Sequence, residues 1–436
     1  MSPAFAFVSF LPPSKPFHPW SRPVIRCSSP QAPNMDRRSA PNPPRRIVVV
    51  GGGVIGVCTA YFLTKRLSTA SSPSDYHVTL VEQSAAVATA ASGKAGGFLA
   101  LDWCDGGPVQ DLARASFVLH RSLAEELEGG RSYGYRPVTT LSVPISESGS
   151  PSSTRSTKDD LPAWVDGPGR TRQRARTIGT TENTAQVHPQ LFTRALLDKA
   201  VRDFGLDVVV GRRVEAVNVD DEGRVKSVGI AGGGGGEEEV EAEAVVVAVG
   251  PWSASFGLLR NVFSVYGLKA HSIVLEPRKK DEITPHALFL SFSPKEGGPA
   301  LDPEVYPRPT GEVYICGMSA REDIPDDPDQ VLPNPESIRM LKRVANAVST
   351  HLLEGEAQVK AEQACFLPCT DDGIPVIGQL PGIPGCYVAT GHSCWGILNG
   401  PATGAAMAEL ILDGRSQMVN LDAFSPSRFV LTQKSR

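Results

Sequence analysis

Long apolar runs, paired cysteines and any marked excess of one charge are all missing from this 436-residue chain. No uninterrupted apolar stretch approaches the ~18–20 residues that a membrane-crossing helix needs. The 43 basic and 47 acidic residues leave a formal net charge of −4, too slight an imbalance to argue for nucleic acid or an anionic membrane surface as a partner. The eight cysteines are scattered, at 27, 58, 104, 316, 365, 369, 386 and 394, without a CxxC pair. The spacing of a structural zinc site is therefore absent, and no metal is expected. A disulfide scaffold is unnecessary, because 41% hydrophobic content over this length suffices for two domains, each with its own core.

Acid is scarce at the N-terminus. Between Met1 and Pro44 the one acidic residue is Asp36, while Ser and Pro abound and Lys15, Arg22, Arg26, Arg37 and Arg38 supply positive charge. A secretory signal would open on a basic region and carry a longer apolar run, whereas transit peptides are rich in Ser and Arg and poor in acid. Residues 1–44 are accordingly expected to be a leader of the plastid type, with Val24-Ile25-Arg26-Cys27-Ser28 as its cleavage region. The expected location is the chloroplast, with the mitochondrion as the alternative and a plain disordered tail as the bland reading.

Order is expected from Arg45. Ile47–Val50 is wholly apolar, as a buried parallel strand should be, and a turn over Gly51–Gly56 leads into a helix over Val57–Leu67 and a second strand over Val78–Val81. Strand, helix and strand in this order form a βαβ unit with a right-handed crossover. Gly51, Gly53 and Gly56, with Val54 and Ile55 between them, give G-x-G-x-x-G. The first glycine permits the tight turn, the second lets backbone N–H groups approach a pyrophosphate, and the third allows helix to pack closely on sheet. The helix N-terminus then faces the phosphates with its positive dipole end. Glu82, followed by Gln83, stands at the end of the second strand, where a carboxylate accepts hydrogen bonds from ribose hydroxyls and repels a 2′-phosphate. These elements predict a dinucleotide site.

Further along, the pattern predicts helices over Leu112–Leu127 and Pro189–Phe204, the second capped by Gly205. Strands are expected near Tyr133–Pro144, Leu206–Val210, Val214–Val219, Val225–Ile230 and Val240–Val249, and Val262–Ile324 reads as mostly β. Residues 146–177 read as an exposed insertion and Gly232–Gly236 as a flexible hairpin tip. Asn334-Pro335 opens a helix, with Asn as N-cap, and the strand Cys386–Ala389 and a helix over Pro401–Leu412 close the fold.

Three segments specify the cofactor further. Ala91-Ser92-Gly93-Lys94-Ala95-Gly96-Gly97 follows soon after Glu82, Val245–Val249 ends in Gly250-Pro251-Trp252, and Asp372–Gly378 precedes Ala389-Thr390-Gly391-His392-Ser393-Cys394-Trp395-Gly396-Ile397. With the glycine turn, these residues resemble the D-amino-acid oxidase/glycine oxidase/sarcosine oxidase superfamily of FAD-dependent oxidoreductases, over most of the chain from Arg45 to about Gly414. The resemblance implies FAD as cofactor and an α/β fold, in which a discontinuous Rossmann-type FAD-binding domain is interleaved with a β-rich α+β substrate domain. The implied division is 45–128, 186–258 and 361–416 for the FAD domain, 129–185 and 259–360 for the substrate domain, and 417–436 as a tail. Beyond the glycine turn, Glu82 and Gln83, the implied cofactor contacts are Ser92, Gly93, Gly96, Val214, Gly250 and Trp252. To these the C-terminal loop adds Gly391, His392, Gly396 and Ile397, which bring backbone and a helix N-terminus to the flavin pyrimidine ring, where negative charge gathers on reduction.

The chain also departs from the family pattern. The Arg that grips a substrate carboxylate, just before the Pro matching Pro368, is replaced by Leu367; Arg308, in a second Arg-Pro element with Pro309, is the remaining candidate. A domain-interface arginine is the bland alternative. Cys365 matches the cysteine through which sarcosine oxidases attach their flavin, but an inert buried thiol and non-covalent FAD are expected here. The Lys and His that those enzymes carry near Glu312–Ser319 are missing, leaving Lys94 and His392 as candidate catalytic cations, each with a structural alternative. The resemblance implies oxidation of the C–N bond of a small amino or imino acid by hydride transfer to FAD, with oxygen or another electron acceptor. A flavin-binding assembly or trafficking factor with little turnover is the rival reading.

Overall fold

The computed structural model describes residues 45–148, 161–171, 173–231 and 237–433. The chain divides into two units, 1–41 and 42–436, and the architecture below is that of the second. The leader expected over 1–44 and the hairpin tip expected over Gly232–Gly236 lie outside the described residues.

The glycine turn sits at the centre of the first sheet. Its six strands run in the order Val376–Gln379, Cys386–Thr390, Ala244–Val247, Arg46–Val50, His77–Glu82 and Asp207–Val210. All neighbours are parallel except the edge strand Val376–Gln379. The central strand is apolar on both faces because both are covered: Ile47 and Val49 join one core, Val48 and Val50 another. The helix Val54–Leu67 lies against the helix Gly396–Asp413, and glycine sets the closeness of that contact. A Cβ on Gly404 would stand 2.4 Å from the Cys58 carbonyl carbon.

The helix Gly396–Asp413 starts five residues earlier than the sequence predicts and carries Pro401 inside it. Proline removes one N–H and disturbs the carbonyl four residues back, so an isolated helix would begin at the proline. Here a neighbouring helix, Gln110–Glu126, completes the broken turn. His120 Nε2 donates to the freed Ile397 carbonyl at 2.9 Å, and Ser116 Oγ accepts from the Ala402 N–H at 3.0 Å. Burial pushes the His120 pKa down to about 4, so the imidazole is neutral near pH 7.

The second sheet has seven strands, in the order Ala357–Thr370, Val265–Pro277, Val313–Arg321, Glu304–Pro307, His286–Ser293, Thr139–Ser146 and Arg176–Gly179. One face buries Leu288, Val305 and Ile315 against Ile338, Leu341 and Val344 of the helix Pro335–Val348. That helix is capped as the sequence predicts, with Asn334 Oδ1 accepting from the Glu336 N–H at 2.8 Å. The opposite face carries Phe289, Tyr306 and Tyr314, which meet Phe98, Trp103 and Trp395.

Four expectations are corrected. The strand read over Val240–Val249 is two strands in different sheets: Glu237–Glu241 pairs with Val225–Ala231, while Ala244–Val247 lies beside Arg46–Val50. Both pieces favour β structure, and only their partners tell them apart. The supposed insertion is docked over 161–171, where Trp164 and Val165 are buried and the N–H groups of Gly167 and Gly169 bond the Val348 and Ala347 carbonyls. Those carbonyls end a helix and need outside donors. The strand Ala357–Thr370 pairs with Val265–Pro277 along its length, across the boundary expected at 361. The segment expected to be a tail buries Val419 and Phe424 in the main core.

Candidate active site

A cleft of about 280 Å³ opens at the C-terminal ends of the parallel strands. This is where open α/β sheets bind ligands. Its first part is built from backbone. Gly51 takes φ +108°, and a Cβ there would lie 2.4 Å from the Ala248 carbonyl oxygen. A Cβ on Gly56 would lie 1.9 Å from the Gly51 oxygen, so this glycine stands behind the wall and serves packing. Gly53, Val54 and Ile55 line the cleft, and Gly53 caps the helix without a side chain.

Glu82 is already oriented there. Its Oε2 accepts from the Gly52 N–H at 2.6 Å and its Oε1 from the Ser84 N–H at 2.8 Å. Ser92 Oγ, across the cleft mouth, accepts from the Val54 N–H at 2.9 Å. Gln83 and Val214 extend the wall, and Arg212, Arg213 and Glu215 join it without any prior sequence signal. Gly250, at φ +54°, and Trp252 continue it. The Trp252 indole N–H donates to the Pro325 carbonyl at 2.8 Å and holds a segment whose Pro328 also lines the cleft.

The far end is formed by Leu367, Pro368, Thr390, His392–Cys394, Gly396 and Ile397. Thr390 Oγ1 donates to the Gly250 carbonyl at 3.1 Å and accepts from Ser253 Oγ at 2.9 Å, tying the two loops together. The sequence segments contained both residues but offered no signal that they meet. Gly391, at φ +78°, would place a Cβ 2.7 Å from Thr370 Cγ2. Gly93 and Gly96 likewise stand behind the wall, with a Cβ 1.9 Å from the Ala88 oxygen and 2.5 Å from the Tyr306 ring respectively. These three glycines shape the cleft and do not line it.

Of the three expected catalytic residues, His392 lines the cleft and Arg308 and Lys94 do not. Arg308 is buried off the cleft, with Nη2 donating to the Ala95 carbonyl at 3.2 Å, Nη1 3.3 Å from His188 Nε2, and its guanidinium 5.1 Å from the Tyr314 ring centre. Lys94 Nζ donates to the Ala364 carbonyl at 3.1 Å, away from the wall. His392 does line the cleft, but burial pushes its pKa down to about 3, and Nε2 bonds Thr403 Oγ1 at 3.0 Å. It is neutral near pH 7 and supplies no positive charge. Cys365 is buried off the wall, and burial raises its thiol pKa to about 11 against the opposing pull of Lys94. That environment does not favour a nucleophilic thiolate.

The residues present fit FAD. A glycine cradle with no room for side chains, a carboxylate in the ribose position and a helix N-terminus whose cap residue, Gly53, has no side chain lie at one end. The cleft continues to the start of a second helix, at Gly396, as a cofactor longer than a mononucleotide requires. A sheet and cleft of this kind define a Rossmann-type flavoprotein. The chain matches the family described as FAD dependent oxidoreductase (DAO) over residues 46–410 and belongs to it. It is an FAD-dependent oxidoreductase.

Among curated relatives, a Schizosaccharomyces pombe protein, C1F5.03c, classed as an oxidoreductase by name only, is 33% identical over 398 residues, covering 88% of this chain and 98% of its own. The glycine oxidase of Geobacillus kaustophilus is 25% identical over 419 residues, covering 88% and 97%. The solved structure of that glycine oxidase superposes with a TM-score of 0.66 at 22% identity, over 88% of this chain and 98% of its own. L-proline dehydrogenase from P. horikoshii gives 0.66 at 18%, over 90% and 99%, and both likenesses bear on the fold.

Proposed function

We propose that this oxidoreductase oxidises the C–N bond of a small substrate bearing an amine, in the class that contains amino and imino acids. FAD supplies the two-electron acceptor. The observation that carries the reading is the end of the cleft: Leu367, Cys394 and Ile397 line it, and the one histidine there is held neutral by burial. Among the described residues that line this end none is a carboxylate or a lysine, and hydride departure from the carbon beside a neutral amine needs no base. The protein's part is to orient that C–H bond and exclude water. The Gly396 helix start, completed by His120 and Ser116, keeps the far wall rigid. The imine then adds water, releasing carbonyl product and amine. Oxygen or another acceptor takes the electrons onward. The relative named glycine oxidase supports this class.

Anaerobic mixing of the holoprotein with a panel of amino acids, imino acids and amines tests the reading. Bleaching of the flavin band by at least one of them is expected. No bleaching by any at millimolar concentration overturns it and favours a flavin-binding assembly or trafficking factor. The acid-poor, Ser- and Arg-containing composition of residues 1–44 supports delivery to plastids. A full-length fluorescent fusion that stays in the cytosol, or enters mitochondria, overturns that part.

A further inference from the structure

One carboxylate stands on the aromatic face of the seven-stranded sheet. Glu304 is in register with Phe289 on one neighbouring strand and with Cys316 on the other, so all three share that face. Tyr306, two residues on, shares it too and donates its hydroxyl to Glu304 Oε2 at 2.6 Å. The Cys316 thiol stands 3.5 Å from the same oxygen. Oε1 accepts no hydrogen bond from any described residue, and no Lys, Arg or His among them lies within ion-pair distance of the carboxylate. Glu304 is mostly buried, and desolvation raises its pKa although both donors oppose the rise. A carboxylate drawn out of water beside aromatic rings without a cation is unfavourable, and a bound cation removes that penalty.

Glu304 does not itself line the cleft, but it stands close to a residue that does, Cys394. Cys394, exposed on the cleft wall but otherwise enclosed by protein, has its thiol pKa raised first by desolvation and then by the Glu304 charge. Asp302, exposed two residues before Glu304, adds a second negative charge toward solvent. The two nearby cations do not answer them: Lys94 and Arg308 are turned to the backbone carbonyls of Ala364 and Ala95. Leu367, where a carboxylate-gripping arginine was sought, is apolar.

We infer that Glu304 is the specificity residue of this enzyme and that its substrate is recognised as a cationic amine, with no carboxylate required. The ammonium group bonds Glu304 Oε1, and the rings of Tyr306, Phe289 and Trp395 pack against its carbons, a surrounding that also favours a cation. The bound ammonium passes one proton to Oε1 and becomes the neutral amine from whose carbon hydride leaves. The inference rests on the C–N oxidation proposed above.

The test uses two non-oxidisable probes of one shape, tert-butylammonium and pivalate, titrated into the holoprotein while the flavin spectrum is recorded. Neither has a hydrogen on its central carbon, so the readout is binding alone. Half-saturation by the cation at a concentration at least ~10-fold below that of pivalate is expected, and Glu304→Gln should raise it by at least ~10-fold with FAD content unchanged. Equal or tighter binding of pivalate, binding of neither probe, or an unchanged cation titration in Glu304→Gln overturns the inference. If that variant does not fold, the probe pair on the wild-type chain still decides. The outcome separates from that of the C–N reading: bleaching by amino acids together with pivalate binding sinks Glu304 alone, whereas cation binding with no bleaching by any amine sinks the oxidation.

Discussion

The two ends of the cleft are built from different material. At the glycine turn the contacts come from backbone: Gly53 and the helix start line the cleft, and Glu82 is braced by the N–H groups of Gly52 and Ser84. At the far end they come from side chains delivered by separate elements: Leu367 from a strand of the second sheet, and His392 and Cys394 from a C-terminal loop. A backbone site needs a short run of small residues in one order. A side-chain site needs the whole topology. The first end can therefore serve a cofactor common to a family, while the second can change its substrate by exchanging a few side chains.

The largest expected effect lies at the backbone end. Gly56→Val adds atoms where even a Cβ would stand 1.9 Å from the Gly51 oxygen. Overpacking costs ~1–3 kcal/mol or more. Loss of bound FAD, read as flavin absorbance per protein, and a lower melting temperature are expected; full FAD content would mean that the turn is not the cradle. Glu82→Ala should fold but bind FAD ~10–150-fold more weakly, for a loss of ~1.5–3 kcal/mol of charge-assisted hydrogen bonds. Titration of the apoprotein with FAD measures it, and an unchanged Kd would leave Glu82 as a brace for Gly52 alone.

Arg308 sharpens the contrast from the other side. With Nη2 turned to Ala95 and Nη1 beside His188, Arg308→Ala is expected to lower stability by ~1–3 kcal/mol while moving the half-saturation for flavin reduction less than ~3-fold. A ~10-fold rise in half-saturation at an unchanged melting temperature would return Arg308 to the substrate.

Acid should loosen the joint between the two ends. Burial lowers the pKa of His392 to about 3 and of His120 to about 4, from an ordinary value of 6.5. The unfolded chain therefore binds protons that the folded chain refuses as pH falls below 6.5. Stability is complete above that pH and declines toward pH 4, by at most ~1.4 kcal/mol per pH unit for each histidine. Melting temperature measured between pH 7.5 and 5 should fall, and His120→Gln should flatten the slope. The smallest effect is expected at Cys365: acid precipitation should release the flavin from the wild type and from Cys365→Ser alike. Colour retained in the wild-type pellet would show a covalent bond.

The glycine turn, Glu82, the helix Pro189–Phe204 with Gly205 and the Asn334 cap were legible because each is decided by neighbours in sequence. Misreadings fell where a distant partner decides. The start of the helix Gly396–Asp413 depends on His120 and Ser116, and the division of 237–247 between two sheets depends on which strands lie alongside. For Arg308 and Lys94 the sequence leaves a catalytic and a structural reading side by side, because it shows a charge but not which carbonyl it faces.

Sequence alone thus determined the family and the cofactor, since a pyrophosphate is held by backbone whose shape a short glycine pattern dictates. Tertiary structure alone decided what faces the substrate. Glu304 drew no attention in the sequence, being one acid among 47. It stands out only once pairing with Phe289 and Cys316 turns it to the aromatic face, partly out of water and without an ion-pair partner among the described residues. Long-range strand pairing chooses the face on which a side chain falls, and a shift of one residue would have sent this carboxylate to the opposite side.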